Sequence, residues 1–201
     1  MQAPKTYVTA DLHLQHKGII SFERGRFKSI EEHDEYIISC LNRCLGPNDT
    51  LYILGDVGFR QGGDLSSLGR LIKRIECRRK ILVYGNHDHF SKQEALSVLG
   101  FDEVHKGPIY YPDPEANGKI ILSHQPVKEA FGNPYVINVH GHVHNGTIDA
   151  DGFYNVNIAQ TNYLPQDIRT FVNIAKKRKS RVERFGEEWY YDLYKLKGGK
   201  G

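Results

Sequence analysis

Lys80-Ile-Leu-Val-Tyr84-Gly85-Asn86-His87-Asp88 decides how the rest of the chain reads. A lysine followed by four apolar or aromatic residues suits a buried strand, and the run goes straight into a turn carrying an amide, an imidazole and a carboxylate. The arrangement recurs in both directions along the chain. Thr6 to Ala10 ends in Asp11-Leu12-His13, and Thr50 to Leu54 ends in Gly55-Asp56. Lys119 to Leu122 ends in Ser123-His124, and Tyr135 to Val139 ends in His140-Gly141-His142-Val143-His144. Five strand ends therefore bring oxygen and nitrogen donors to one edge of a sheet, the edge where α/β proteins place ligands.

In extended chain, residues i and i+2 project to the same side, so Asp11 with His13, and His142 with His144, are expected to form two-donor claws. Glycine precedes Asp56, Asn86 and His142, which suits backbone passing close to an occupied site. Taken singly these signals are weak. A lone strand-end histidine is ordinarily a hydrogen-bonded surface residue, and Gly-Asp or Gly-Asn is an ordinary turn. Five such ends, each behind an apolar run, point to one shared site.

Between the strands, Ile30 to Leu45 and Leu65 to Ile75 carry apolar residues at helical spacing, and each reads as a helix packed on a sheet. Gly46-Pro47-Asn48 stops the first. A shorter helix is expected from Lys92 to Leu99, and another from Pro165 to Arg178 with the proline in the first turn. Trp189 to Tyr194 reads as an edge strand because it is rich in aromatics. Tyr110-Tyr111 and Asn133-Pro134-Tyr135 are loop aromatics that could stack a base but more simply pack.

The 201 residues suit a single domain, expected over residues 1–201 with a C-terminal helix and strand in 165–196. A hydrophobic share of 39% with 25% charged residues excludes a disordered or fibrous chain. No apolar run approaches the roughly 18 residues needed to cross a bilayer, and Met1-Gln-Ala-Pro-Lys5 lacks the apolar core of a signal peptide, so a cytoplasmic protein with no membrane partner is expected. Cys40, Cys44 and Cys77 form no Cys-x-x-Cys pair and read as buried free thiols. A net charge of +3 does not announce a nucleic-acid binder, and the basic run from Lys176 to Arg181 reads as a solvated helix end.

In their order, Asp11-Leu-His13, Gly55-Asp56, Gly85-Asn-His-Asp88, His124 and Gly141-His-Val-His144 resemble the motifs of the calcineurin-like metallophosphoesterases. The resemblance spans roughly residues 6–157 and implies an α/β sandwich, two β-sheets flanked by helices, with a two-metal site at the strand ends. It would assign Asp11, His13 and His144 to one ion, Asn86, His124 and His142 to the other, and Asp56 to both. His87 would stand beside the site without binding metal and face the leaving group.

The implied activity is metal-dependent phosphoester hydrolysis. The donor set lacks thiolate, so it favours Mn²⁺, Fe²⁺ or Zn²⁺, with manganese preferred. Two such ions acidify a bridging water and hold phosphate oxygens for in-line displacement by the hydroxide, while a protonated His87 serves the departing oxygen as general acid. Two carboxylates and a hydroxide leave the site about one net positive charge, suited to a phosphate anion.

Two departures narrow the class. Many relatives follow the first motif with glycine, whereas this chain continues Leu14-Gln15-His16-Lys17. Phosphatase relatives extend the second motif to Gly-Asp-x-x-Asp-Arg, with the later Asp orienting the catalytic His; here the run is Gly55-Asp-Val-Gly-Phe59-Arg60. The expected substrate is therefore a small phosphodiester, nucleotides among them, with a phosphomonoester as the alternative and a non-catalytic binding module as a more distant one. Little length is left for a capping domain, which argues against long nucleic acid. Arg60 and His16 are candidate substrate contacts, with Lys17, Arg24 and Arg26 as rivals to Arg60. Asp88 is expected to fix its loop through backbone hydrogen bonds rather than to bind metal. His140 is expected in the core or behind the ligands, and His33, His89 and His105 at ordinary positions.

Overall fold

The computed structural model describes residues 3–22, 26–60, 64–116, 119–144, 148 and 151–196. Arg24 lies outside the described residues. The first half of the chain alternates strand and helix: β1 (Thr6–Thr9), α1 (Ile19–Phe22), α2 (Ile30–Cys44), β2 (Thr50–Leu54), α3 (Ser66–Lys73) and β3 (Arg79–Val83). Then come α4 (Lys92–Glu94), which runs into a π-helical turn over Ala95–Leu99, and the strands β4 (Glu103–His105) and β5 (Ile109–Tyr110). The second half holds β6 (Lys119–Ser123), a 3-10 turn (Lys128–Ala130), β7 (Val136–His140), β8 (Phe153–Asn155), β9 (Gln166–Asp167) and α5 (Ile168–Leu196).

Two sheets result, ordered β4-β3-β2-β1-β9 and β5-β6-β7-β8. β1 to β4 run parallel, as do β6 to β8, with β9 and β5 antiparallel at the edges. Parallel strands with helical crossovers put all their C-terminal ends on one side, which is what gathers the five motifs. The sheets are joined next to the motifs: the Ala10 amide donates to Val156 O at 3.1 Å and the Ile158 amide to Ala10 O at 2.9 Å.

Strand alternation divides the core. Leu51, Ile53 and Leu82 face Ile37 and Leu41 of α2 and Leu68 and Ile72 of α3. Val8, Ala10, Leu54 and Val83 face Ile120, Leu122, Ile137 and Val139 of the other sheet, and Phe171 and Val172 of α5 join that cluster. β7 is buried along its whole length, as a central parallel strand should be.

The expected strands and the helices of the first half agree with the structure to within about two residues, but the C-terminus requires correction. Pro165 does not open the last helix: Gln166–Asp167 first pairs with β1, and Asp167 Oδ1 then accepts the Arg169 amide at 2.9 Å. An Asx acceptor placed there starts the helix at Ile168. The edge strand expected at Trp189 to Tyr194 is instead helical, continuing α5 beyond a break at Gly186, whose φ is 79°. Glu187, Glu188, Leu193, Lys195 and Leu196 are strong helix formers, and they outweigh the aromatic preference for sheet. Cys40 is buried as expected, whereas Cys44 and Cys77 are half-buried, and all three are free thiols. Among the described residues no helix is long and apolar enough to cross a membrane.

Candidate metal centre

All seven residues expected as metal ligands lie at the strand ends, and they fall into two groups. Donor atoms of Asp11, His13 and His144 lie within 4.8 Å of one another. The Nε2 atoms of His13 and His144 face each other at 3.0 Å, and His144 Nε2 is 3.7 Å from Asp11 Oδ1. In the second group His124 Nε2 is 2.8 Å from Asn86 Oδ1 and 3.2 Å from His142 Nδ1. Asp56 stands between them, its Oδ2 3.8 Å from His13 Nε2 and 3.4 Å from His124 Nε2.

The expected claws form differently from the extended-chain picture. Asp11 (φ 58°), His13 (φ 45°), Asp56 (φ 52°) and His142 (φ 68°) all have left-handed backbone. Such angles cost of order 1–3 kcal/mol each and persist only where the surroundings enforce them. The Asp11 and His13 donors meet because the chain turns, not because it is extended. His142 and His144 do not share a group at all: one faces His124 and the other His13.

The glycines are explained by the same crowding. A Cβ on Gly141 would run into the Asp11 carboxylate and Ala10, and one on Gly85 into the Asp56 side chain and amide.

Neighbouring groups orient the donors. His124 Nδ1 is 2.9 Å from Leu54 O, so the ring donates there and presents Nε2 to the site. Asp11 accepts the His142 amide with both oxygens, at 3.1 and 3.0 Å. Asp56 Oδ1 accepts the His87 amide at 2.9 Å. Asp88 behaves as expected, accepting backbone amides from Gly85 (2.8 Å), Val57 (2.9 Å) and Asp56 (3.0 Å).

Burial controls the protonation states. It pushes the His13 imidazole down to about 2, helped by the neighbouring His144, His16 and His87, so the ring is neutral near pH 7. Burial also lowers His124, against the pull of Asp56. Asp11 is raised well above the usual carboxylate range by burial, with the His142 amide opposing. Asp88 is pushed up to about 6, again by burial and against its backbone donors.

Asp11 is 3% and Asp56 2% exposed, and among the described residues the only basic groups within 4 Å of their oxygens are imidazoles. Two buried carboxylates without lysine or arginine, ringed by imidazoles, are the chemistry of a cation site. The donors present therefore fit divalent metal.

His87 is exposed on the rim, its ring 5.9 Å from His13 and 6.1 Å from His16 between centroids. His16 is also at the site, 5.3 Å from the His13 ring and stacked on Phe59 at 5.4 Å. The Arg60 guanidinium donates to Glu94 at 2.7 Å, tying the loop after β2 to the capping box of α4. Arg26 lies over the Tyr163 ring at 4.3 Å, within an aromatic cluster. Tyr110 is bonded to Glu129, and Tyr135, bonded to Glu187, precedes β7 at the end away from the site. Within the basic run Lys176 is paired with Glu115, Arg178 with Asp151 and Lys179 with Glu183.

Three supporting residues escaped the sequence reading. Asp34 is buried, bonded to His33, and accepts the Gln15 amide with both carboxylate oxygens, at 3.2 and 3.0 Å, which fixes the turn bearing His13 and His16. Asn157 Nδ2 is 3.3 Å from His144 Nδ1. Asn138 braces the loop after His124. Only the adjacent His33-Asp34 pair inside an amphipathic helix hinted at any of them.

Comparison with known proteins follows the same line. Gene 66 protein of Mycobacterium phage L5 is 29% identical over 167 residues, covering 71% of this chain and 79% of its own length. An uncharacterized protein of Methanocaldococcus jannaschii is 26% identical over 192 residues, 89% of this chain and 96% of its own. A solved structure of a protein of unknown function from Aquifex aeolicus superposes with a TM-score of 0.66 at 27% identity, covering 86% of this chain and all of that one. The sequence pattern of one family, the calcineurin-like phosphoesterases, matches residues 4–192. With that match over nearly the whole chain, and with its motifs gathered at the strand ends of two packed sheets, the protein belongs to the calcineurin-like phosphoesterase family.

Proposed function

We propose that the chain is a dinuclear metal-dependent phosphodiesterase acting on a nucleotide or another small phosphodiester. The observation that carries this reading is the gathering of seven donors around Asp56, with His13 and His144 beside Asp11 on one side, Asn86 and His142 beside His124 on the other, Asp11 also within reach of His124, and His87 outside. Asp11, His13 and His144 would hold one divalent ion, Asn86, His124 and His142 the second, and Asp56 would serve both. A pair of ions so held, manganese in our reading, supplies Lewis acidity toward phosphate oxygens and lowers the pKa of bound water.

The remaining chemistry belongs to side chains. His87 gives a proton to the departing oxygen, and its backbone bond to Asp56 sets its position beside the centre. His16 lines the substrate side, and Arg60 braces the rim through Glu94. The preference for a diester rests on position 59, where phosphatase relatives carry an aspartate and this chain has Phe59 stacked on His16. No carboxylate from that position is present to order His87 for a dianionic monoester.

The test compares bis-p-nitrophenyl phosphate with p-nitrophenyl phosphate, using protein stripped of metal and refilled with Mn²⁺, alongside Asp56→Ala. We expect diester cleavage that the variant loses. Preference for the monoester would replace the reading with a phosphatase. Failure to take up divalent ions would replace it with a binding module.

A further inference from the structure

A cleft of about 320 Å³ opens beside the second group of donors, with Asn86 and His124 on its inner wall. That volume is at the small end for ligand sites and admits one nucleoside-sized group, not a polymer. Its other walls come from Tyr84, Lys106, Pro108, Gln125, Pro126 and Val127. The lining contains no carboxylate, and Lys106 is its one lysine or arginine. The larger cleft elsewhere, about 430 Å³, mixes Glu31, Asp34 and Glu35 with Arg70 and Arg74, and Arg74 is paired with Glu35.

The walls are held from behind by buried polar groups. Asn138, fully buried in β7, accepts the Val127 amide at 2.9 Å and donates to Ile121 O at 3.0 Å and Ser123 Oγ at 2.8 Å. Ser123 in turn donates to Gln125 O at 2.7 Å. On the opposite side the Tyr84 amide donates to His105 O at 2.9 Å, and the Tyr84 hydroxyl donates to Phe90 O at 3.0 Å. A buried asparagine inside an otherwise apolar strand is costly unless satisfied, and here its bonds shape the wall of the cleft. The result is a preformed recess whose walls mix apolar and uncharged polar groups around one exposed cation, directly beside the proposed phosphate site.

We infer that this cleft seats one arm of the substrate, and that the arm carries a second anionic group facing Lys106. This deepens the phosphodiesterase reading and rests on it for the placement of the scissile phosphate. The substrate class is then a small diester with a further anion on one side, of which a nucleotide bearing an additional phosphate is the simplest member. Lys106 acts on specificity and not on the chemical step, because it contributes an ammonium to the arm and not to the reacting phosphorus.

The experiment uses the p-nitrophenyl ester of thymidine 5′-phosphate, with and without a phosphate on the 3′ oxygen, and manganese-loaded protein. In the wild type the 3′-phosphate should raise kcat/KM about tenfold, the size of one favourable charge contact. Lys106→Ala should bring the ratio of the two substrates close to one, Lys106→Arg should keep most of it, and Lys106→Glu should reverse it, each variant's rate on the plain ester serving as its own reference. Calorimetry with thymidine 3′,5′-bisphosphate against thymidine 5′-phosphate should give the same pattern in affinity. Equal kcat/KM for the two esters in the wild type, or a preference that survives in Lys106→Ala, would overturn the assignment. If neither ester were hydrolysed, the phosphodiesterase reading would fall, and the affinity gap would decide the cleft separately.

Discussion

His87 is the residue whose role depends most on what it does not touch. Its ring lies near His13 and His16 on the exposed rim, while its backbone amide is anchored to Asp56. His87→Ala should therefore match the wild type in metal content, measured by elemental analysis, and lose about 10² to 10⁴ in kcat, the usual yield of a positioned acid. A less basic leaving group should narrow the deficit, since a better leaving group needs less proton donation. Full activity in the variant would remove His87 from the mechanism. Which residues act together was legible at this scale from type and spacing, because donors that follow apolar runs have few other reasons to recur. Which donor faces which was not: it depends on left-handed backbone at Asp11, His13, Asp56 and His142, angles uncommon outside glycine that Asp and His adopt more readily than most residues but that no local pattern assigns to these four positions.

At the scale of elements, the centre is made by the close approach of strand ends from two sheets. Gly141, at the end of β7, passes against Ala10 and the Asp11 carboxylate just after β1, and a methyl group there has no free space. Gly141→Ala should push Asp11 away from the position set by the His142 amide, and metal affinity should fall about 10- to 100-fold, as when an outer contact to a ligand is lost. Circular dichroism should show the helices and strands intact. Unchanged affinity in a competitive Mn²⁺ titration would mean that the strand ends tolerate separation.

The same scale separates what the sequence could and could not disclose. β1, β2, β3, β6 and β7 announce themselves because apolar, β-branched and aromatic residues dominate each of them. β4, β5, β8 and β9 are two- or three-residue edge or near-edge pairings with polar or mixed sequences, and they exist only because a neighbouring strand accepts them. Asp34 is hidden for a similar reason. Its helix reads as amphipathic with or without a carboxylate turned toward Gln15, and only the tertiary fold brings the two together.

Over the whole molecule, two buried groups in the metal-free protein should titrate with opposite signs, and the comparison tests the electrostatics of the site without relying on turnover. His13 is held down to about 2, against an ordinary value near 6.5 in the unfolded chain, so the unfolded state takes up a proton first on acidification. Its contribution to stability is present above about pH 6.5 and is lost as the pH falls toward 2. Asp88 is the reverse. Its folded carboxyl titrates at about 6 against 3.8 unfolded, so the folded state binds the proton first, and its contribution is present below about pH 3.8 and disappears as the pH rises through 6. Taking chelator-treated protein from about pH 7.5 to about pH 5, the wild type should lose about 2 kcal/mol relative to His13→Asn and gain about 1 kcal/mol relative to Asp88→Asn. Urea unfolding at both pH values reads these differences directly. Parallel pH profiles for the wild type and His13→Asn would mean that water reaches the imidazole. Because the folded His13 imidazole is already neutral over this range, it adds no pH dependence to cation binding, and His13→Asn should weaken stabilisation by added Mn²⁺ about equally at both pH values.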